Sequence, residues 1–250
     1  MTEKITKKLY NDQVEIVFFP KAHRYKRTDS KKWITSVSAI SGVIDKSRVL
    51  LAWASKLATE RVEELTKLTK SDVIDAIYSY KQKTEEACSI GSQVHDFAER
   101  YAINKMSLED NLVEMPTDEN AINGCIAFIE WVEKNNVIFL ETERLVYSEK
   151  YNYVGTFDAL IKIKDKTYLI DYKTSKAFYP VEMRMQTAGY QLAYQEEAGE
   201  KIDGRMIIRF DKETGEFDVH ELDNNNEYEQ DKQAFLSALF LKEYTKSTKS

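Results

Sequence analysis

The chain has 250 residues, 42% of them hydrophobic and 31% charged, with eight glycines and three prolines, which provides a core for one large globular unit and argues against a repeat or low-complexity protein. A formal net charge of −6 argues against holding a polyanion through general basicity, so any nucleic acid must meet a local patch. Cys88 and Cys125 stand outside any C-x-x-C, no apolar run is long enough to cross a bilayer, and MTEKITKKLY lacks the apolar segment of a secretory signal; a disulfide framework, a structural zinc and a cysteine-held cluster are disfavoured, no membrane association is expected, and an intracellular, cytoplasmic location is the default.

In chain order, VEIVFFP and HRYKRTDSKKWI predict a small hairpin turned at Thr28-Asp29-Ser30. Ser36 or Ser38 caps a helical region through AISGVI and LLAWASKLATERVEELTKL, Ser71-Asp72 opens a further helix to Tyr80, and helices follow at 82–104 and 120–135. Strands are expected near 137–147, 153–163 and 167–174, a helix over 181–198 stopping at Gly199, a hairpin over 205–222 turning on Glu213-Thr214-Gly215, and a last helix over 226–244. That order predicts an α/β core on a mixed sheet flanked by helices, preceded by a helical N-terminal region.

The stretch VGTFDALIKIKDKTYLIDYK carries the chemistry. A two-residue turn at Lys164-Asp165 pairs Ile163 with Lys166 and sets Asp158 opposite Asp171, whereas a four-residue turn would set Asp158 opposite Lys173. Alternation then places Asp158, Leu160, Lys162, Leu169, Asp171 and Lys173 on one face, and Phe157, Ala159, Ile161, Tyr168, Ile170 and Tyr172 on the other, buried one. Opposed carboxylates are unfavourable across a ladder and ask for a hard cation between them, Mg²⁺ or Mn²⁺. Elsewhere, His95 and Glu99 share one helical face just after Gly91, and Gln186, Tyr190 and Tyr194 form a similar stripe. Each of these is common as packing when taken alone.

Taken in order, G-S-x-x-H-x-x-x-E from Gly91, G-T-x-D from Gly155, D-x-K from Asp171 and Q-x-x-x-Y from Gln186 resemble the PD-(D/E)XK nuclease superfamily, and within it the RecB-type exonucleases. The upstream HRYKRTDSKKWITSVSAI resembles the opening of phage-type and mitochondrial single-strand exonucleases of this group. The resemblance implies a restriction-endonuclease-like core and a metal-dependent DNA exonuclease, bacterial or phage-encoded, working in recombination, repair or phage replication. It implies that Asp158 and Asp171 are the two motif acids and Lys173 the motif lysine. His95 and the backbone carbonyl of Tyr172 would complete the set for one or two Mg²⁺ or Mn²⁺ ions. Gln186 and Tyr190 would meet the phosphate or stack on a base, and Glu99 is an accessory candidate that reaches a second metal, orients His95 or forms a plain ion pair. Glu143 reads as a solvated acid. Four cluster-holding cysteines of some relatives are missing, and no G-x-x-x-x-G-K-[ST] loop is present, so neither an iron–sulfur cluster nor ATP is expected.

The expected layout is a single nuclease domain over 1–250: a hairpin and helical groove wall to 85, a catalytic core over 86–225, and a C-terminal helix and tail over 226–250. Single-stranded or end-containing DNA is the expected partner, alongside a single-strand-binding or recombination protein. Trp33, Trp53 and Tyr101 suit stacking on unpaired bases, although aromatics at this density more often build the core. A structure-selective or site-specific endonuclease of the same fold is the alternative. A non-catalytic nucleic-acid-binding subunit is a further one, against which the intact acids and lysine argue.

Overall fold

Strand β6 (Tyr153–Ile163) lies between two edges that are paired differently, and the rest of the chain is arranged around it. The structure, a computed structural model, describes residues 4–30, 32–44, 47–63, 69–107, 112–174, 178–210, 217–223 and 226–248. One edge of β6 is covered along its length by antiparallel β5 (Ile138–Ser148). The other meets β7 (Lys166–Lys173) only from Ala159 to Ile163, in the register expected of a two-residue turn, with Lys164 at φ 54°.

The N-terminal segment is more elaborate than a hairpin. Strands β1 (Ile5–Leu9), β2 (Val14–Phe19), β3 (Arg24–Arg27) and β4 (Trp33–Ser36) form an antiparallel meander, and the turn foreseen at residues 28–30 joins β3 to β4. Strand β1 escaped the sequence pattern because ITKKL buries only Leu9, and its turn uses Tyr10, Asn11 and Asp12 at positive φ instead of a glycine. Strand β4 then pairs in parallel with β6 through Thr35–Tyr153 and Ser36–Val154, so the meander extends the central sheet.

Ser36 Oγ accepts the N–H of Ala39 at 3.2 Å and caps α1 (Val37–Ser41), which ends at Gly42; α2 (Ser47–Glu63) is therefore a separate helix. The helices expected to break near residue 81 are instead one, α3 (Lys70–Ser107), since no glycine or proline interrupts residues 70–90. It runs through the boundary drawn at 85–86. Asp118 caps α4 (Glu119–Lys134), and α5 (Pro180–Ala198) closes at Gly199 with φ 67°. Parallel pairing of β7 with β8 (Gly204–Phe210), antiparallel pairing of β8 with β9 (Phe217–Asp223) and α6 (Asn226–Ser247) complete the chain. The expected Glu213-Thr214-Gly215 turn lies outside the described residues.

Helices cover both faces of the sheet. Phe97 and Phe128 from α3 and α4 pack on Ala159, Ile161, Ile170, Tyr172 and Ile208. Val37, Tyr190 and Phe235 from α1, α5 and α6 pack on Phe157, Leu160 and Leu169. The expectation of one buried face is thus corrected: Leu160 and Leu169, assigned to the polar face, are core, as a sheet with parallel crossovers requires. Cys125 is a buried free thiol whose pKa burial pushes up to about 12, while the Cys88 side chain lies outside what is described. None of the described helices is long and apolar enough to cross a membrane.

Helix α6 is tied to the sheet by Arg205, fully buried, whose Nη2 donates to Asp231 Oδ2 at 2.7 Å, with Arg184 Nε on Oδ1 at 3.0 Å. Removing one member of a buried pair leaves the other charge uncompensated. Asp231→Ala is therefore expected to cost about 3–5 kcal/mol, and replacing Arg205 and Asp231 together by apolar residues far less, measured by urea unfolding.

Candidate active site

The ladders of β6 leave a gap. Along the edge opposite β5, β4 ends at Val154 and β7 begins at Ala159, so Gly155, Thr156, Phe157 and Asp158 have no strand partner there. Into this opening Asp158 turns its carboxylate, and Oδ2 accepts the N–H of Tyr172. The direct opposition of Asp158 to Asp171 is therefore not formed. The ladder stops one pair earlier, at Ala159–Ile170, because a side-chain oxygen has taken a backbone donor.

Alternation also slips at this point. Phe157 and Leu160 join the same cluster beneath α5, whereas Ala159 and Ile161 join the one beneath α3. Across from Asp158, Glu143 on β5 adopts φ 45°, in the left-handed region. The dislocation brings Asp158 to α3, where His95 Nδ1 lies 3.6 Å from Asp158 Oδ1 and the imidazole stands edge-on to the Tyr172 ring. On β7, the Lys173 ammonium lies against Asp171 Oδ2, itself a buried oxygen without a hydrogen bond of good geometry. The structure thus gathers Asp158, Asp171, Lys173, His95 and the Tyr172 backbone.

The electrostatics separate the two acids. Burial would raise the Asp158 pKa, but facing His95, with Lys173 and the Tyr172 N–H, outweighs it and holds the carboxyl below its ordinary value. Burial raises Asp171, Lys173 offsets this only in part, and Asp158 adds to the rise. Burial alone would depress His95, yet Asp158 lifts the imidazole above its usual range.

Glu143 is not the solvated acid that was expected. Burial, then Asp158 and Glu99, push its pKa up to about 7. Glu99 is raised by burial, then by Asp96 and Asp158, and so belongs to the same acidic group. Nothing local flagged Glu143, because its neighbours Thr142 and Arg144 are as polar as it is. A cavity of about 300 Å³ opens beside it, lined by Lys7, Lys8, Met106 and the 140–145 segment of β5.

Two glycines of the sequence motifs allow the close approach. A Cβ on Gly91 would sit 2.5 Å from Thr174 Oγ1, and one on Gly155 2.5 Å from the Tyr190 ring, so α3 and α5 reach the strands only because those positions are bare. Tyr190 is only 4% exposed and its hydroxyl accepts from Gln186 Nε2 at 2.8 Å. Stacking on a base is closed to it; the Gln186–Tyr190 pair borders Asp171 instead. Tyr101 is likewise core, packed on Phe97 and Phe128, while Trp33 and Trp53 are exposed.

The four expected metal ligands do not form a ready-made cage: among the described residues no three His, Cys, Asp or Glu side chains are clustered as an ion site. One oxygen of each acid is engaged, Asp158 Oδ2 by Tyr172 and Asp171 Oδ2 by Lys173. The donor set still suits a hard cation, since two buried carboxylates share one ammonium and further acids stand behind them.

A model of the PD-(D/E)XK nuclease superfamily matches residues 60–245. The chain belongs to that superfamily. This nuclease is 24% identical over 191 residues to an ATP-dependent helicase/nuclease protein of Streptococcus agalactiae serotype V, a match covering 65% of this chain and 16% of the relative. The serotype Ia protein of the same name is 24% identical over 181 residues, covering 61% and 15%. The nuclease chain thus spans under a fifth of the length of these curated relatives. Among solved structures, an alkaline exonuclease from Laribacter hongkongensis aligns over 86% of this chain and 92% of its own at 12% identity and a TM-score of 0.37. Its complex with dAMP aligns over the same shares at 14% identity and 0.39.

A folded-state pKa near 7 for Glu143 means that the native nuclease binds this proton more tightly than the unfolded chain. Stability from this group is present at low pH and is lost as pH rises from about 4.5 to 7. Glu143→Gln removes that slope, so its stability relative to wild type should rise between pH 5 and pH 8 by on the order of 1 kcal/mol, measured by urea unfolding in EDTA.

Proposed function

We propose that the chain is a metal-dependent DNA exonuclease of the RecB type, hydrolysing phosphodiester bonds in single-stranded or end-containing DNA during recombination, repair or phage replication. The observation that carries this reading is the convergence of Asp158, Asp171 and Lys173 on the gap in the β6 edge, with His95 against Asp158.

In this reading Asp158, Asp171, His95 and the Tyr172 carbonyl hold one Mg²⁺ or Mn²⁺, and Glu99 and Glu143 stand where a second ion would find acid oxygens. When bound, the cation supplies positive charge at the attacked phosphate and acidifies water there. Asp158 is kept ionised by His95, Lys173 and the Tyr172 N–H, so it offers a carboxylate at neutral pH. Lys173 brings a protonated amine to the same point. It orients water for attack or donates to the phosphate oxygen as negative charge grows. The Gln186 amide, held by Tyr190, presents a polar group on the α5 side of Asp171. Helix α3 carries His95 and Glu99, and with α2 it would wall the groove that receives the strand.

Asp171→Ala and Lys173→Ala are each expected to lower Mg²⁺-dependent degradation of end-labelled DNA by at least about 100-fold, with circular dichroism unchanged. Undiminished cleavage by either variant defeats the site assignment. Closed circular single-stranded DNA should survive conditions that digest its linear form, whereas cutting of the circle would make the enzyme an endonuclease. Mg²⁺ or Mn²⁺ alone should raise the Tm of wild type by mass action. The shift should vanish in Asp158→Asn and require more metal in His95→Ala.

A further inference from the structure

The outer face of the N-terminal meander combines charge and aromatic surface in a way its packing does not use. Residues 4–36 contain nine lysines and arginines against three aspartates and glutamates, in a chain whose net charge is −6. Directly paired residues share a face, so the ladders Val17–Lys26–Trp33 and Phe19–Arg24 collect Phe19, Arg24, Lys26 and Trp33 on one side. The opposite side, with Ile16, Phe18, Tyr25 and Ile34, is the one packed on β5 and β6 through Leu145, Tyr147 and Val154. The outer side therefore faces away from the core.

On that face Trp33 is 42% exposed, with the Phe19 ring edge-on at 5.1 Å. The Arg24 guanidinium lies 4.1 Å and the Lys26 ammonium 5.8 Å from the indole centroid, and Lys4 stands 5.4 Å from the Phe19 ring. Cation–π pairs of this kind stabilise a hairpin modestly, but folding does not need a concentration of positive charge here. An aromatic surface bordered by several cations matches an unpaired strand, whose bases stack while its phosphates meet the cations.

We propose that Phe19, Trp33, Arg24, Lys26 and Lys4 form a docking platform for single-stranded nucleic acid, separate from the residues gathered at the β6 gap. The platform deepens the nuclease reading and rests on it for the nature of the substrate. It supplies the local basic patch that an acidic chain needs to retain a polyanion during successive cuts. Nearby Tyr25, on the inner face of the same meander, reaches Thr156 Oγ1 at 3.5 Å, two residues before Asp158, and so links this sheet to the gap.

The test is fluorescence anisotropy with a labelled oligothymidylate of about 20 nucleotides, longer than the roughly 4–16 covered by one single-strand module. EDTA is present, so binding is read without hydrolysis. Trp33→Ala is expected to weaken binding roughly tenfold, with Trp33→Phe restoring most of it and Tm unchanged in both. Arg24→Ala with Lys26→Ala should flatten the log–log salt slope by about 1.4, at about 0.7 per phosphate contact on a single strand. Wild-type affinity in folded Trp33→Ala, equal loss in Trp33→Phe, or stronger competition by polyglutamate of equal charge would each overturn the platform, the last in favour of an acidic polypeptide. A wild-type protein that binds through Trp33 but never cuts would sink the nuclease reading and leave the platform standing.

Discussion

The incomplete edge of β6 is the constraint on which the site depends. A continuous ladder from Val154 to Ile163 would pair Asp158 as an ordinary strand residue and point its side chain along the pleat. The edge is instead shared by two strands of different origin, β4 from the N-terminal meander and β7 from the hairpin, and they do not meet. Asp158 fills the opening with a charge-accepting bond from Tyr172 N–H, which holds the carboxylate and satisfies a donor that the broken ladder would strand. The slip in alternation and the left-handed Glu143 on the neighbouring strand belong to the same dislocation. Irregular pairing beside a catalytic constellation re-aims side chains that a regular sheet could not bring together.

Around this opening the molecule places groups of mixed charge at low solvent exposure, and the charges are balanced pair by pair. Two buried carboxylates beside each other are unfavourable, yet neither stands alone: His95 faces one and Lys173 the other. Their pKa values move apart, Asp158 down and Asp171 up, which is how one pocket comes to hold an ionised acid and one inclined to keep a proton. Glu99 and Glu143 add negative potential behind them. Such a group suits a divalent cation better than it suits a folded state without one, so part of the stability of the fold is given up to keep the site ready.

Much of this architecture was legible from local pattern. The β6–β7 hairpin, its two-residue turn, the α5 stop at Gly199 and the N-cap at Ser36 follow from alternation, helical spacing and capping chemistry acting within a few residues. The buried thiol of Cys125 was anticipated too. What escaped was non-local. Strand β1 has almost no apolar signal, the union of β4 with β6 joins residues more than a hundred positions apart, and the single helix α3 shows no break because a weak propensity dip does not end a helix that packs on both sides of it.

The site divides in the same way. Residue type and spacing alone determined that Asp158, Asp171, Lys173 and His95 carry chemistry, since few structural roles call for two acids and an amine on adjoining strands beside a helical histidine. Only the tertiary structure decided how they meet: that Asp158 bonds Tyr172 instead of opposing Asp171, that Glu143 is drawn in, and that Tyr190 is buried beneath Gly155. Those outcomes depend on where separate ladders end and how closely helices can approach bare glycines. Sequence specifies the groups, because chemistry is local to a side chain; their aim is set by contacts between segments that no short window contains.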